Sequence, residues 1–150
     1  MDKLLQMIKN EKIEFLEKDM TGRNKGFYSD NVLMIDQKML IPEKRCTISE
    51  ELGHHFKTFG DITDQSKIEN RKQEKKARAW GYEHLVPLTL LAEAINYPCL
   101  NKIDLAEYLD VTEEYLLEAI SYYKSKYGLY VNINEYTIWF EPLRLIKMFE

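Results

Sequence analysis

The chain has 150 residues, of which 45% are hydrophobic and 31% are charged, and its net charge is −4. These values indicate one compact domain, alone or with a small appendage, and exclude both a disordered tail and a strongly basic nucleic-acid-binding protein. The two cysteines, Cys46 and Cys99, are too few for a disulfide framework. Neither a membrane span nor the long apolar core of a signal peptide is present, so we expect a cytoplasmic protein without membrane contact.

The first part of the chain predicts a helix followed by a small sheet. Residues 2–10 place leucine and isoleucine at helical spacing. Short apolar segments at 27–28 and 32–35 flank the polar residues 29–31. This pattern is typical of a β-hairpin, so a short strand is expected over residues 32–35.

Two longer helices are predicted next. Pro42 suits the first turn of one helix, which we expect to run to about Phe59, ahead of a glycine. Ser66, with glutamate three residues later, forms a capping-box pattern for the other helix, which should stop before Pro87. The residues expected to face inward are Ile48, Leu52, Phe56 and Phe59 in the first helix and Ala77, Trp80 and Leu85 in the second.

The last third of the chain predicts a helical module and a second hairpin. The expected elements are helices at 89–95, 103–109 and 113–127 and strands at 130–133 and 136–140. Thr112 is the expected N-cap of the longest of these helices. The whole pattern predicts an α+β fold in two parts, residues 1–97 and 98–150.

Residues 103–120 have the rhythm of a helix-turn-helix, but their charge argues against DNA binding. They contain six acidic residues and neither lysine nor arginine, whereas phosphate contacts dominate affinity for DNA. Seven of the ten tyrosines lie between Tyr108 and Tyr136. They either pack this module onto the rest of the protein or form a surface that binds another protein.

The residues with metal and proton-transfer chemistry concentrate in the first long helix. Glu50 and His54 are four residues apart and share one face of a helix, and Glu51 borders that face. Two ligands on successive turns beside a carboxylate follow the logic of the H-E-x-x-H motif. Here the pattern is E-E-x-x-H, and it is also compatible with a capping box formed by Thr47 and Glu50. Glu51 and His55 form a competing pair of ligands at the same spacing.

Two further residues help to distinguish a metal site from a helix cap. Gly53 lies inside the predicted helix, where glycine costs about 1 kcal/mol relative to alanine, and this indicates close backbone packing. Glu74 lies on the second long helix and is a candidate third ligand. It is also compatible with a solvated run of charges that includes Lys72, Lys75, Lys76 and Arg78.

Two linked stretches distinguish between these interpretations. The sequence C-T-I-S-E-E-L-G-H-H begins at Cys46, and E-x-x-A-x-x-W-G-x-E-x-L-x-P begins at Glu74. Together they resemble the ImmA/IrrE family of metallo-endopeptidases, in which a helix with H-E-L-G-H precedes one with E-x-x-A-x-x-F-A-x-E-L-L-x-P. The resemblance extends from near Val32 to about Pro87. It implies that residues 1–97 form a metallopeptidase-like domain, with a small sheet beside a zincin-like helix pair, and that the helical module packs on it.

The resemblance also implies roles for individual residues. Glu51 corresponds to the general-base glutamate, and His54 and Glu74 correspond to zinc ligands. Glu50 replaces the family's first histidine ligand, so it is the expected third ligand. His55 is expected beside the ligands rather than on the metal. Two carboxylates and one imidazole widen the choice of metal from zinc to manganese or iron.

The implied function is a zinc-dependent endopeptidase that cleaves a regulatory protein, typically a helix-turn-helix repressor of a prophage or integrative element. The alternative is a non-catalytic relative that docks a repressor or another partner without cleaving it. His84 stands where the family usually has leucine, and we expect a surface or interface histidine there.

Overall fold

The computed structural model describes residues 1–96 and 101–147. The chain divides into two compact units, an amino-terminal unit (Met1–Gly81) and a carboxyl-terminal unit (Tyr82–Glu150). The described residues form an α+β fold, which confirms the predicted class. The domain boundary predicted between residues 97 and 98 lies outside the described residues. Within 1–96 and 101–147, no helix combines the length and the apolar character that crossing a membrane requires.

The elements of the described residues follow in chain order. The helices are α1 (Asp2–Asn10), α2 (Ile41–Lys57), α3 (Ile68–Leu85), α4 (Leu88–Asn96), α5 (Lys102–Leu109) and α6 (Glu113–Tyr127). The strands are β1 (Glu14–Lys18), β2 (Gly26–Ser29), β3 (Val32–Asp36), β4 (Tyr130–Ile133), β5 (Tyr136–Phe140) and β6 (Leu143–Lys147).

The sheet of the amino-terminal unit has the order β1-β3-β2, with β3 parallel to β1 and antiparallel to β2. Asp30 and Asn31 connect β2 to β3 with φ angles of 48° and 60°, the left-handed conformations of a tight hairpin turn. The predicted hairpin is therefore confirmed. Leu33 and Ile35 of β3 are fully buried, so the central strand anchors this unit.

Helix α2 begins at Ile41, with proline in its first turn as predicted, and ends at Lys57. Ile48 and Leu52 are fully buried. The predicted apolar stripe is wrong at its far end, because Phe56 is 38% exposed and Phe59 lies beyond the helix and is 86% exposed.

Helix α3 begins at Ile68, so Ser66 does not act as the predicted N-cap. The Ser66 hydroxyl instead donates to Asp64 Oδ1 at 2.6 Å, a local turn that competes with helix capping. The inward-facing residues are buried as predicted, and they are Ala77, Trp80 and Leu85.

In the carboxyl-terminal unit, the predicted helix caps are present. The Thr112 hydroxyl accepts a hydrogen bond from the Tyr115 backbone N–H at 3.1 Å, and Gly128, with φ of 85°, ends α6. Strands β4, β5 and β6 form an antiparallel sheet, whose third strand the sequence pattern did not predict.

The aromatic residues of this unit divide into two groups. Tyr115 and Tyr123 are buried, whereas Tyr127 and Tyr130 are exposed. The Trp139 ring of β5 lies between the Tyr130 ring, at 5.0 Å, and the Arg144 guanidinium, at 5.6 Å. Some tyrosines therefore pack this unit, and others are displayed on its surface.

Candidate metal and general-base site

Helix α2 carries the candidate residues on two adjacent faces. Residues four apart on a helix project to the same side. Glu51 therefore shares a face with Thr47 and His55, and this face packs on β2. Glu50 and His54 share the neighbouring face, which brings His54 to α3.

On the β2 side, the strand backbone lies directly against Glu51. A Cβ added to Gly26 would overlap Thr47 Cγ2 and would lie 3.1 Å from Glu51 Oε1. Two residues along β2, Tyr28 Oη lies 2.5 Å from His55 Nδ1. The strand's two-residue repeat thus matches the helix's four-residue repeat, since each spans roughly 6–7 Å.

His55 is held by hydrogen bonds at both ring nitrogens. Its Nδ1 meets the Tyr28 hydroxyl, and its Nε2 lies 3.0 Å from Glu11 Oε1. This chain of contacts joins α1, α2 and β2. It disfavours His55 as a metal ligand, because neither ring nitrogen is available.

On the α3 side, the two helix backbones approach unusually closely. A Cβ added to Gly53 would overlap the carbonyl oxygen of Ala77 and would lie 2.9 Å from its carbonyl carbon. This contact confirms the close backbone packing that the glycine indicated. The rings of Phe56 and Trp80 stack alongside at a centroid distance of 5.1 Å.

The close packing brings His54 and Glu74 together. His54 Nε2 lies 3.3 Å from Glu74 Oε2, and the Arg78 guanidinium Nε contacts the other Glu74 oxygen at 3.0 Å. The Glu74 side chain is only 25% exposed. Glu74 therefore faces its predicted partner and is not one charge of a solvated run.

The environment of Glu51 alters its proton affinity. Burial and, to a smaller extent, the negative charges of Glu50 and Glu74 together raise the pKa of the Glu51 carboxyl from 4.5 to about 7. A carboxyl group with this pKa exchanges a proton near neutral pH, which is the property that a general base requires.

Glu50 is not part of a capping box. Helix α2 begins six residues before Thr47, whose hydroxyl donates to Met39 Sδ at 3.6 Å. The capping-box interpretation is therefore wrong, since Thr47 lies in the helix interior. Glu50 is partly buried and lies close enough to Glu51 to raise its pKa.

His54 and Glu74 together could provide two of the ligands of a metal ion. An imidazole nitrogen and a carboxylate oxygen are typical zinc donors, and His54 and Glu74 present both within 3.3 Å of each other. Across residues 1–96 and 101–147, no group of three His, Cys, Asp or Glu side chains is arranged to hold a metal ion. In this structure Glu50 therefore does not complete a three-ligand group with His54 and Glu74.

Several residues of the site were not found from the sequence. Tyr28 and Glu11 are 27 and 44 positions from His55, so no local pattern connects them to it. Gly26 has a usable signal, because glycine at a strand often marks a close approach of another group. His84, by contrast, lies on the surface near the end of α3, as expected.

Comparison with known proteins adds one finding. The model of a peptidase family, described as the IrrE N-terminal-like domain, matches residues 8–121, a range that includes every residue of the α2–α3 site. No curated protein and no solved structure shows a significant match to the chain.

Proposed function

The chain belongs to the IrrE N-terminal-like family of peptidases, and from this premise we propose that it is a cytoplasmic zinc-dependent endopeptidase that cleaves a regulatory protein. One observation carries the proposal. His54 Nε2 and Glu74 Oε2 lie 3.3 Å apart on two helices in backbone contact, and close to them the partly buried Glu51 carboxyl has its pKa raised by burial to about 7. A proton acceptor beside a pair of metal donors is the minimum that metal-assisted peptide hydrolysis requires.

The proposed ligands are His54, Glu74 and Glu50. Zinc bound by these residues would supply Lewis-acid polarisation of the scissile carbonyl group. A Glu51 carboxylate oxygen takes a proton from the attacking water and returns it to the nitrogen of the leaving amine. The β2 backbone at Gly26 restricts solvent around this carboxylate, and the charges of Glu50 and Glu74 favour its protonated form.

The proposed substrate is a helix-turn-helix repressor of a prophage or integrative element. The resemblance to the ImmA/IrrE family supports this choice of substrate. The chain is proposed to recognise the repressor as a protein, without itself binding DNA. The acidic residues of 103–120 support this part of the proposal, because they would repel phosphate.

A second candidate function is a non-catalytic protein that docks a repressor without cleaving it. Two observations favour it. Glu50 stands where the family has histidine, and no three-ligand group is arranged among the described residues.

The two functions are separated by a cleavage assay with the repressor encoded by the same mobile element. We expect the zinc-loaded protein to cut the repressor and Glu51→Gln to retain zinc while cleavage falls by roughly 10²–10⁴-fold. Glu43→Gln is the matched control, since Glu43 is exposed in the first turn of the same helix. Equal, stable binding of the repressor by wild type and Glu51→Gln, without any cleavage, would instead support the non-catalytic function.

A further inference from the structure

Phe59 is an exposed aromatic residue next to the α2–α3 site. Its side chain is 86% exposed, the largest value among the large hydrophobic residues in the described part of the chain. A hydrated phenylalanine ring forgoes the favourable free energy of burying its apolar surface. Such a ring is therefore a ready contact for another apolar group.

The backbone that leads into this ring is hydrogen-bonded to α2 and α3 beside the site. The Thr58 hydroxyl and backbone N–H donate to the His54 carbonyl oxygen at 2.7 and 3.1 Å. The Phe59 backbone N–H donates to Gln73 Oε1 at 2.7 Å, and Gln73 immediately precedes Glu74. Gly60 then turns the chain away with φ of 67°. Phe59 is thus tied to the helix turn that carries each member of the His54–Glu74 pair.

We propose that Phe59 is a specificity-determining residue that contacts an apolar side chain of the polypeptide substrate near the scissile bond. This inference rests on the proposed peptidase function. The Thr58–Phe59 segment is held by the His54 carbonyl oxygen and by the side chain of Gln73, the chain neighbour of Glu74, so a polypeptide that reaches His54 and Glu74 comes close to this segment. The anchored backbone reduces the entropy lost when the ring is covered, so the contact favours binding.

The test is a double-mutant cycle between Phe59 and the substrate. Each apolar residue within three positions of the bond cut in the repressor is changed to serine. Cleavage by the zinc-loaded full chain is then measured for wild type, Phe59→Ala and Phe59→Leu. Leu40→Ala is the matched control, because Leu40 is 71% exposed at the opposite end of α2.

We expect one serine substitution to raise the KM of wild type on the order of tenfold. The same substitution should have little effect on Phe59→Ala, whereas Phe59→Leu should retain most of the preference and Leu40→Ala should match wild type. Two results would overturn the inference and leave the peptidase function intact. One is that the effects of Phe59→Ala and of every serine substitution on cleavage are additive, and the other is that Phe59→Ala and Leu40→Ala lose cleavage equally. A repressor that wild type does not cut would overturn the peptidase function, and the inference with it.

Discussion

Helix α2 meets strand β2 on one side and helix α3 on another, each through one glycine, and the two contacts differ in kind. On the β2 side the glycine belongs to the strand, and its missing side chain leaves room for the side chains of Thr47 and Glu51. On the α3 side the glycine belongs to α2 itself, and its missing side chain leaves room for the backbone of Ala77.

Because one contact involves side chains and the other involves backbone, the two sides of α2 have different roles. Side chains can move to relieve a clash, so the β2 side tolerates change and tunes the environment of Glu51. A helix backbone cannot move alone, so the α3 side fixes the distance between His54 and Glu74. The proton-transfer group and the metal donors therefore depend on different contacts, which can be altered separately.

The largest effect is expected from Gly53→Ala. The new Cβ would overlap the Ala77 carbonyl oxygen, so the two helices must separate. We expect the free energy of unfolding to fall by about 3 kcal/mol, even though alanine favours helix by about 1 kcal/mol. Urea unfolding measures this change, and unaltered stability would show that the backbones do not touch at this point.

The next effect concerns the pH dependence of the metal-free protein. The pKa of Glu51 is raised from 4.5 to about 7 in the folded protein, so the folded state holds this proton more tightly than the unfolded chain. Its contribution to stability is complete below pH 4.5 and is lost as the pH rises through 7. Between pH 5 and 8, Glu51→Gln should gain about 2 kcal/mol of stability relative to wild type. The measurement is urea unfolding with a chelator present, and parallel curves for the two proteins would contradict the raised pKa.

A smaller effect is expected from Gly26→Ala. The added Cβ would overlap Thr47 Cγ2, which belongs to a side chain, and the loss of stability should be about 1.5 kcal/mol. Thr47→Ser removes that methyl group and should restore more than half of the loss. For Gly53→Ala no side-chain change can do so, because the obstacle is a carbonyl oxygen. Failure of Thr47→Ser to rescue Gly26→Ala would remove the distinction between the two sides.

The smallest effect is expected from Glu50→His, on the face that leads to α3. Replacing one carboxylate with a neutral imidazole leaves more positive charge on the metal site and favours zinc over harder ions. We expect zinc to bind about fivefold more tightly, or about 1 kcal/mol. Competition with a chromophoric chelator measures it, with Glu43→His in the exposed first turn as control. Equal gains in both variants would mean that position 50 is not a ligand position.

Much of the fold follows from local signals. The turn at Asp30 and Asn31, the cap at Thr112 and the stop at Gly128 each act within four residues, so their sequence patterns are informative. Strand β1 has no such signal, because its partner β3 lies 18 residues further along the chain and pairs with it in parallel. The prediction that Phe59 lies in the apolar stripe of α2 was wrong because helix ends, too, depend on more than spacing. Its helical spacing continues the apolar stripe, but the helix ends before it is reached.

In the candidate site, too, local spacing predicts some features and misses others. The spacing of Glu50, Glu51 and His54 predicts which faces of α2 they share, and the family resemblance places Glu74 opposite His54. The assignment of these four residues to a metal and to proton transfer stays a prediction. The i, i+4 spacing of Glu74 and Arg78 predicts that these two side chains meet, but it does not predict that Arg78 holds one Glu74 oxygen while His54 contacts the other.

The stacking of Phe56 on Trp80 has a spectroscopic consequence. The chain has two tryptophans, and each compact unit contains one of them, Trp80 in the first and Trp139 in the second. The Trp80 indole is 9% exposed and stacks on a ring from α2, so its fluorescence reports whether α2 and α3 remain in contact. In Trp139→Phe this indole is the sole tryptophan, and a red shift of its emission during unfolding marks the point at which water reaches the space between the two helices.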